Sequence, residues 1–176
     1  MVEQVYSFKL IVIGPAAVGK SSLIRRFVEN KFSLHYKFTI GVDFMTKTIE
    51  FEPGKSAKLT LWDIGGQERF KVLRRSFYEG TNGALIVFDL SRANTFTKMK
   101  EWLSDARQSI ENDFPVIIIG NKSDLIPEIG EIIDRNEPLK YAKAENSTYI
   151  ETSAKTGNNV DNAFLDLTQK MIKKFS

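Results

Sequence analysis

Gly14-Pro15-Ala16-Ala17-Val18-Gly19-Lys20-Ser21 stands between an apolar run at residues 8–13 and a segment of helical spacing at 20–29. A strand that passes through a glycine-bounded turn directly into a helix commits the chain to strand–loop–helix units. Such units stack, through right-handed crossovers, onto a mainly parallel sheet. The pattern recurs along the chain. Apolar runs rich in β-branched residues read as buried strands at 59–63, 84–90 and 114–120, with a shorter one at 148–150. Helical spacing covers 96–111, 137–145 and 160–173, and in the last of these Val160, Phe164, Leu167 and Met171 place an apolar stripe on one side. One stretch breaks the rhythm: residues 43–52 and 58–63 are joined by Pro53-Gly54-Lys55, which reads as a hairpin. The expectation is an α/β fold, with a six-stranded mixed sheet, one antiparallel edge strand and about five flanking helices. With 176 residues, 42% of them hydrophobic, the chain suits one domain spanning 1–176 with its core at about 8–173.

Composition narrows the function. A net charge of +3 from 25 basic and 22 acidic side chains is too mild for the clustered basic face of a nucleic-acid binder, and no nucleic-acid partner is expected. Without cysteine there is no disulfide framework and no thiolate zinc site. The first apolar run is too short for a secretory or spanning segment. Val2 stands where myristoylation needs glycine, and Phe175-Ser176 offers no cysteine for prenylation. The expected location is cytoplasmic, with membrane association only through a lipidated tail beyond Ser176.

Ligands of such sheets bind beyond the carboxyl ends of the strands, so the chemistry is sought there. The octet fits G-x-x-x-x-G-K-[ST]. Its glycines let the backbone turn so that successive N–H groups point inward, and the helix N-terminus adds partial positive charge toward a phosphate. Lys20 reaches the β- and γ-phosphates, and the Ser21 hydroxyl coordinates Mg²⁺. Asn121-Lys122-Ser123-Asp124 follows the strand ending at Gly120. A carboxylate at Asp124 can accept from both N1–H and the exocyclic amine of guanine, a pair of donors that adenine lacks. Glu151-Thr152-Ser153-Ala154-Lys155 can close over the base from a second side. Trp62-Asp63-Ile64-Gly65-Gly66-Gln67 ends the hairpin's second strand. There Asp63 can hold magnesium through a water, the glycine pair lets an N–H swing toward a terminal phosphate, and Gln67 can orient the attacking water.

These four motifs in this order resemble the small GTPases of the Ras superfamily, over about residues 8–173. Ile40-Gly41-Val42-Asp43-Phe44 after Thr39, Gln67-Glu68-Arg69-Phe70, and Arg75-Ser76-Phe77-Tyr78 most resemble the Rab branch. Ile64-Gly65-Gly66 is closer to the Arf branch. The resemblance implies a P-loop G domain that cycles between GTP-bound and GDP-bound states, hydrolyses GTP slowly with Mg²⁺, and regulates vesicle traffic as Rab proteins do. By position, Thr39 becomes a ligand to Mg²⁺ and the γ-phosphate, Phe32 packs on the guanine and Tyr36 covers the phosphates. The base is enclosed by Asn121, Lys122, Asp124, Leu125, Ser153, Ala154 and Lys155. With Ala17, Val18, Gly19, Lys20, Ser21, Ser22, Asp63 and Gly66 these complete the expected nucleotide site. Lys20, Thr39 and Gln67 are the catalytic set, and Ser21, Thr39 and Asp63 the metal set.

An exchange factor, a GTPase-activating protein and effectors would engage switch regions 31–44 and 65–78 of a monomer. Phe44, Trp62 and Phe77 read equally as core or as an effector patch, and the lone His35 reads as an exposed loop residue. No motif contains a built-in arginine finger: Arg25 and Arg26 lie in the first helix, beyond the loop. The methyl of Ala16 lies where the glutamine and an incoming arginine would crowd, which implies slow hydrolysis. Two rivals share the phosphate loop. A module that holds GTP without hydrolysing it keeps every motif, whereas a P-loop kinase needs an acceptor site and has no use for Asp124.

Overall fold

In the computed structural model, residues 3–35, 37 and 39–176 are described, Phe70 through its backbone alone. Six strands form one sheet in the order β2-β3-β1-β4-β5-β6. They are β1 (Gln4–Ile13), β2 (Val42–Glu52), β3 (Lys55–Ile64), β4 (Gly83–Asp89), β5 (Val116–Asn121) and β6 (Thr148–Glu151). Only β2 runs antiparallel, paired with β3 at the sheet edge with Phe44 opposite Trp62 and Val42 opposite Ile64. Pro53 and Gly54 make the hairpin turn, with Gly54 at φ 75°, and Lys55 already opens β3.

The central strands are buried on both faces, which is why they read as unbroken apolar runs. From β1, Leu10 and Val12 enter one core layer and Ile11 and Ile13 the other. The first layer is completed by α1 (Lys20–Glu29) and α6 (Val160–Phe175), whose Phe27 and Phe164 rings stack with centroids 4.1 Å apart. The second layer is closed by α2 (Lys71–Tyr78), α3 (Ala93–Ser109) and α5 (Asn136–Ala144). In α6 the buried side chains are Val160, Ala163, Phe164, Leu167, Thr168 and Met171, the expected stripe widened to one full face.

Six α-helices flank the sheet among the described residues, rather than about five. One of them, α4 (Ile126–Ile129), is a single turn with a proline in its first positions. The next shortest is α2, of eight residues. Its buried residues are Arg74 and Tyr78 while its aliphatic Val72 and Leu73 are exposed, so its aliphatic side chains do not mark the inner face. The Arg74 guanidinium lies 3.7 Å from the centroid of the Trp102 ring on α3, which makes that burial tolerable. No described helix is long and apolar enough to cross a membrane.

Candidate functional site

A cavity of about 570 Å³ opens at the carboxyl ends of β1, β3 and β5. The loop between β1 and α1 forms its floor. Gly14 is obligatory there, because a Cβ would lie 2.2 Å from the Val87 carbonyl oxygen of β4. At Gly19, with φ 98°, a Cβ would lie 2.3 Å from Asn121 Nδ2. That close approach lets Asn121 donate to the Val18 carbonyl at 2.9 Å and fasten β5 to the loop. Ala17, Gly19, Lys20, Ser21 and Ser22 line the cavity, while Val18 between them is buried. Lys20 donates to the carbonyls of Gly14 (2.9 Å) and Pro15 (2.8 Å), and burial brings its pKa down to about 8.

Three oxygens converge at the N-terminus of α1. Ser21 Oγ and Thr39 Oγ1 are 2.8 Å apart, Thr39 Oγ1 donates to Asp63 Oδ2 at 3.1 Å, and Ser21 Oγ donates to the same Asp63 oxygen in a short contact. Asp63 is 5% exposed and its second oxygen, Oδ1, is buried with no hydrogen-bond partner. Burial raises the Asp63 pKa above the usual carboxylate range, against the pull of Ser21, Lys20 and Thr39. A buried, under-coordinated carboxylate beside two hydroxyls is a hard-oxygen donor set of the kind Mg²⁺ accepts.

The hairpin and the phosphate loop meet through the two glycines after β3. A Cβ on Gly65 would lie 2.5 Å from the Thr39 carbonyl, and the Gly65 N–H donates to the Gly41 carbonyl at 2.8 Å. A Cβ on Gly66 would lie 2.4 Å from the Ala16 nitrogen. The pair is therefore required by close packing as well as by freedom to move. Gln67 lines the cavity, and its side-chain oxygen accepts from Arg69 Nε at 2.8 Å.

On the other side Asp124, Lys122, Leu125, Ala154 and Lys155 line the cavity together with Phe32. Ser153 stands behind them and donates to Asp124 Oδ1 at 2.7 Å, fixing the carboxylate's orientation. Asn121 Oδ1 accepts from Thr152 at 3.0 Å, so both post-strand loops share one support. His35 is exposed. Tyr36 lies outside the described residues. Phe44 is 61% exposed and stacks on the half-buried Trp62 with centroids 5.6 Å apart; Trp62 meets Phe77 at 6.5 Å. Phe44 is thus a surface residue, whereas Trp62 and Phe77 are partly buried against the second core layer.

Three arginines emerge that the motifs did not mark. Arg25 lines the cavity. Arg26 donates to the carbonyls of Ala154 (2.8 Å) and Lys155 (2.6 Å), bracing the loop after β6 from α1. Arg92 donates to the carbonyls of Ala16 and Ala17. It also pairs with Asp89 at 3.1 Å, and Lys122 reaches the same carboxylate oxygen at 2.9 Å. Burial alone would raise the Asp89 pKa, but hydrogen bonds from Ser91 and Lys122 outweigh it and hold the carboxyl below its usual range.

Comparison with known proteins agrees with this geometry. The model of the Ras family matches residues 9–173. The Ras-related protein Rab-18-B of Danio rerio is 41% identical over 168 residues, which cover 95% of this chain and 80% of that protein.

Proposed function

The chain belongs to the Ras family, as a Rab-like small GTPase and thus a GTP hydrolase, and on that premise we propose that it is a GTP-binding switch regulating vesicle traffic. The observation that carries the switch reading is the convergence of Ser21, Thr39 and Asp63, with Asp63 Oδ1 left unpartnered. In this reading these residues hold Mg²⁺, which supplies charge stabilisation at the phosphates. Lys20 turns from the Gly14 and Pro15 carbonyls toward the β- and γ-phosphates, and the loop amides of residues 16–20 cradle them. Asp124, oriented by Ser153, accepts from the guanine edge, and Phe32 packs on the ring.

Gln67 positions the attacking water once it exchanges its bond to Arg69 for that role. Thr39 and the Gly66 N–H contact the γ-phosphate, so its loss releases regions 31–44 and 65–78 together. An exchange factor, an activating protein and effectors read those regions, effectors through Phe44, Trp62 and Phe77. The protein acts as a monomer in the cytoplasm, joined to a membrane where a lipidated tail is present.

Arg25 belongs to α1 on the cavity wall and pairs with Glu29 at 3.9 Å, so an activating partner supplies the arginine for fast turnover. Unaided hydrolysis is correspondingly slow, because the Ala16 methyl lies where Gln67 and an incoming arginine would crowd. Single-turnover hydrolysis of [γ-³²P]GTP tests the reading. The wild type should release phosphate slowly and only with Mg²⁺, and Gln67→Leu should slow it by about 10-fold or more. Binding of GTP with no phosphate release from the wild type would instead identify a module that merely holds the nucleotide.

A further inference from the structure

Ala17 is one of five described residues other than glycine with positive φ, at 63°. A side chain in this left-handed region is unfavourable, so something must hold the peptide there. The hydrogen bonds around it identify the holder. The Ala17 carbonyl accepts from Arg92 Nη2 at 3.0 Å and Lys122 Nζ at 3.0 Å, and the Ala16 carbonyl accepts from Arg92 Nη2 at 3.2 Å. The next carbonyl, Val18, accepts from Asn121 Nδ2 at 2.9 Å. In a trans peptide the N–H points opposite to the C=O. The N–H groups of Ala17, Val18 and Gly19 therefore each point away from the side chain that holds the carbonyl of the same peptide.

Arg92 lines a second cavity, which adjoins the nucleotide cavity at Ala16 and Ala17, and does not line the nucleotide cavity itself. Its own geometry is fixed by Asp89, which is 1% exposed and bonded to Ser91 and Lys122. We infer that Arg92 is a positioning residue for the phosphate loop, holding Ala17 in its left-handed conformation and thereby setting how long a bound guanine nucleotide is retained. The inference rests on the proposed function in assuming that a nucleotide's phosphates sit on this loop.

The test is release of a fluorescent N-methylanthraniloyl GDP from the full chain, chased with excess unlabelled GDP. Arg92→Ala should release it roughly tenfold faster, since two charge-assisted hydrogen bonds are lost. Arg92→Lys, able to reach one carbonyl, should fall between wild type and R92A. The diagnostic readout is the dependence on position 17, since glycine adopts positive φ without the penalty. In an Ala17→Gly background the effect of R92A should shrink to about twofold. An equal effect in both backgrounds would overturn the inference and leave Arg92 a general brace, as would release from R92A at the wild-type rate. Because Asp89 keeps Lys122 and Ser91 as partners, R92A leaves no buried charge unpaired, and a thermal melt checks its fold. Failure of the wild type to bind any guanine nucleotide would instead refute the functional reading itself.

Discussion

The half of the site proposed to meet the base and the phosphates is built differently from the half formed by residues 31–44 and 65–78. In the first, carbonyls of the loops are held by side chains from other elements: Asn121 on Val18, Lys122 and Arg92 on Ala17, Arg26 on Ala154 and Lys155. In the second, large apolar side chains face outward, Leu34 at 80% exposure, Ile40 at 70% and Val72 at 87%. One half stores geometry, and the other offers surface. The difference teaches where substitutions should be costly to nucleotide retention and where they should be costly only to recognition.

Four substitutions probe that contrast. Asp124→Asn should have the largest effect, weakening GTP by about 10³-fold, or ~4 kcal/mol, and shifting preference toward xanthine nucleotides. Competition binding against labelled GDP reads it, and unchanged GTP affinity would break the assignment of the base side. Asp89→Asn should destabilise the fold by about 3 kcal/mol at neutral pH, because Lys122 and Arg92 lose their shared carboxylate. The sign with pH follows from a folded pKa held below the reference value of 3.8. The carboxylate's contribution is present above that value and lost as pH falls through the lower folded one. Urea melts should therefore show the gap between wild type and D89N closing on the acid side.

Arg74→Ala should cost about 2 kcal/mol, chiefly by emptying the stack on Trp102, and tests whether α2 is anchored from inside while its outer face is free. Phe44→Ala should change thermal stability by less than about 0.5 kcal/mol, since the ring is 61% exposed. A large loss of stability from F44A would mean that the exposed half also holds the fold together.

The sequence made the phosphate loop legible because its glycines, Lys20 and Ser21 act within a few residues of one another, on a strand and helix whose apolar periods are strong. The order of the sheet's edge was legible too, from Pro53-Gly54 between two alternating runs. Helix α2 was not, since it is only eight residues long and its Val72 and Leu73 lie exposed while Arg74 takes an inward position. The arginine supports were hidden for another reason. Arg92 and Ala16 are 76 residues apart, Arg26 and Ala154 are 128 apart, and the acceptors are backbone carbonyls that every residue carries. A side chain that serves a carbonyl leaves no chemical signature at the far end of the contact.

The hydrogen bond from the Gly65 N–H to the Gly41 carbonyl adds one rung to the β2–β3 hairpin beyond Val42 and Ile64, where the chain leaves the sheet on both sides. A cross-link of that kind turns two detectors into one. In the proposed switch, a reader protein that gripped only the surface around Phe44 would also feel whether the loop after β3 is in place, so a single small footprint would report on both.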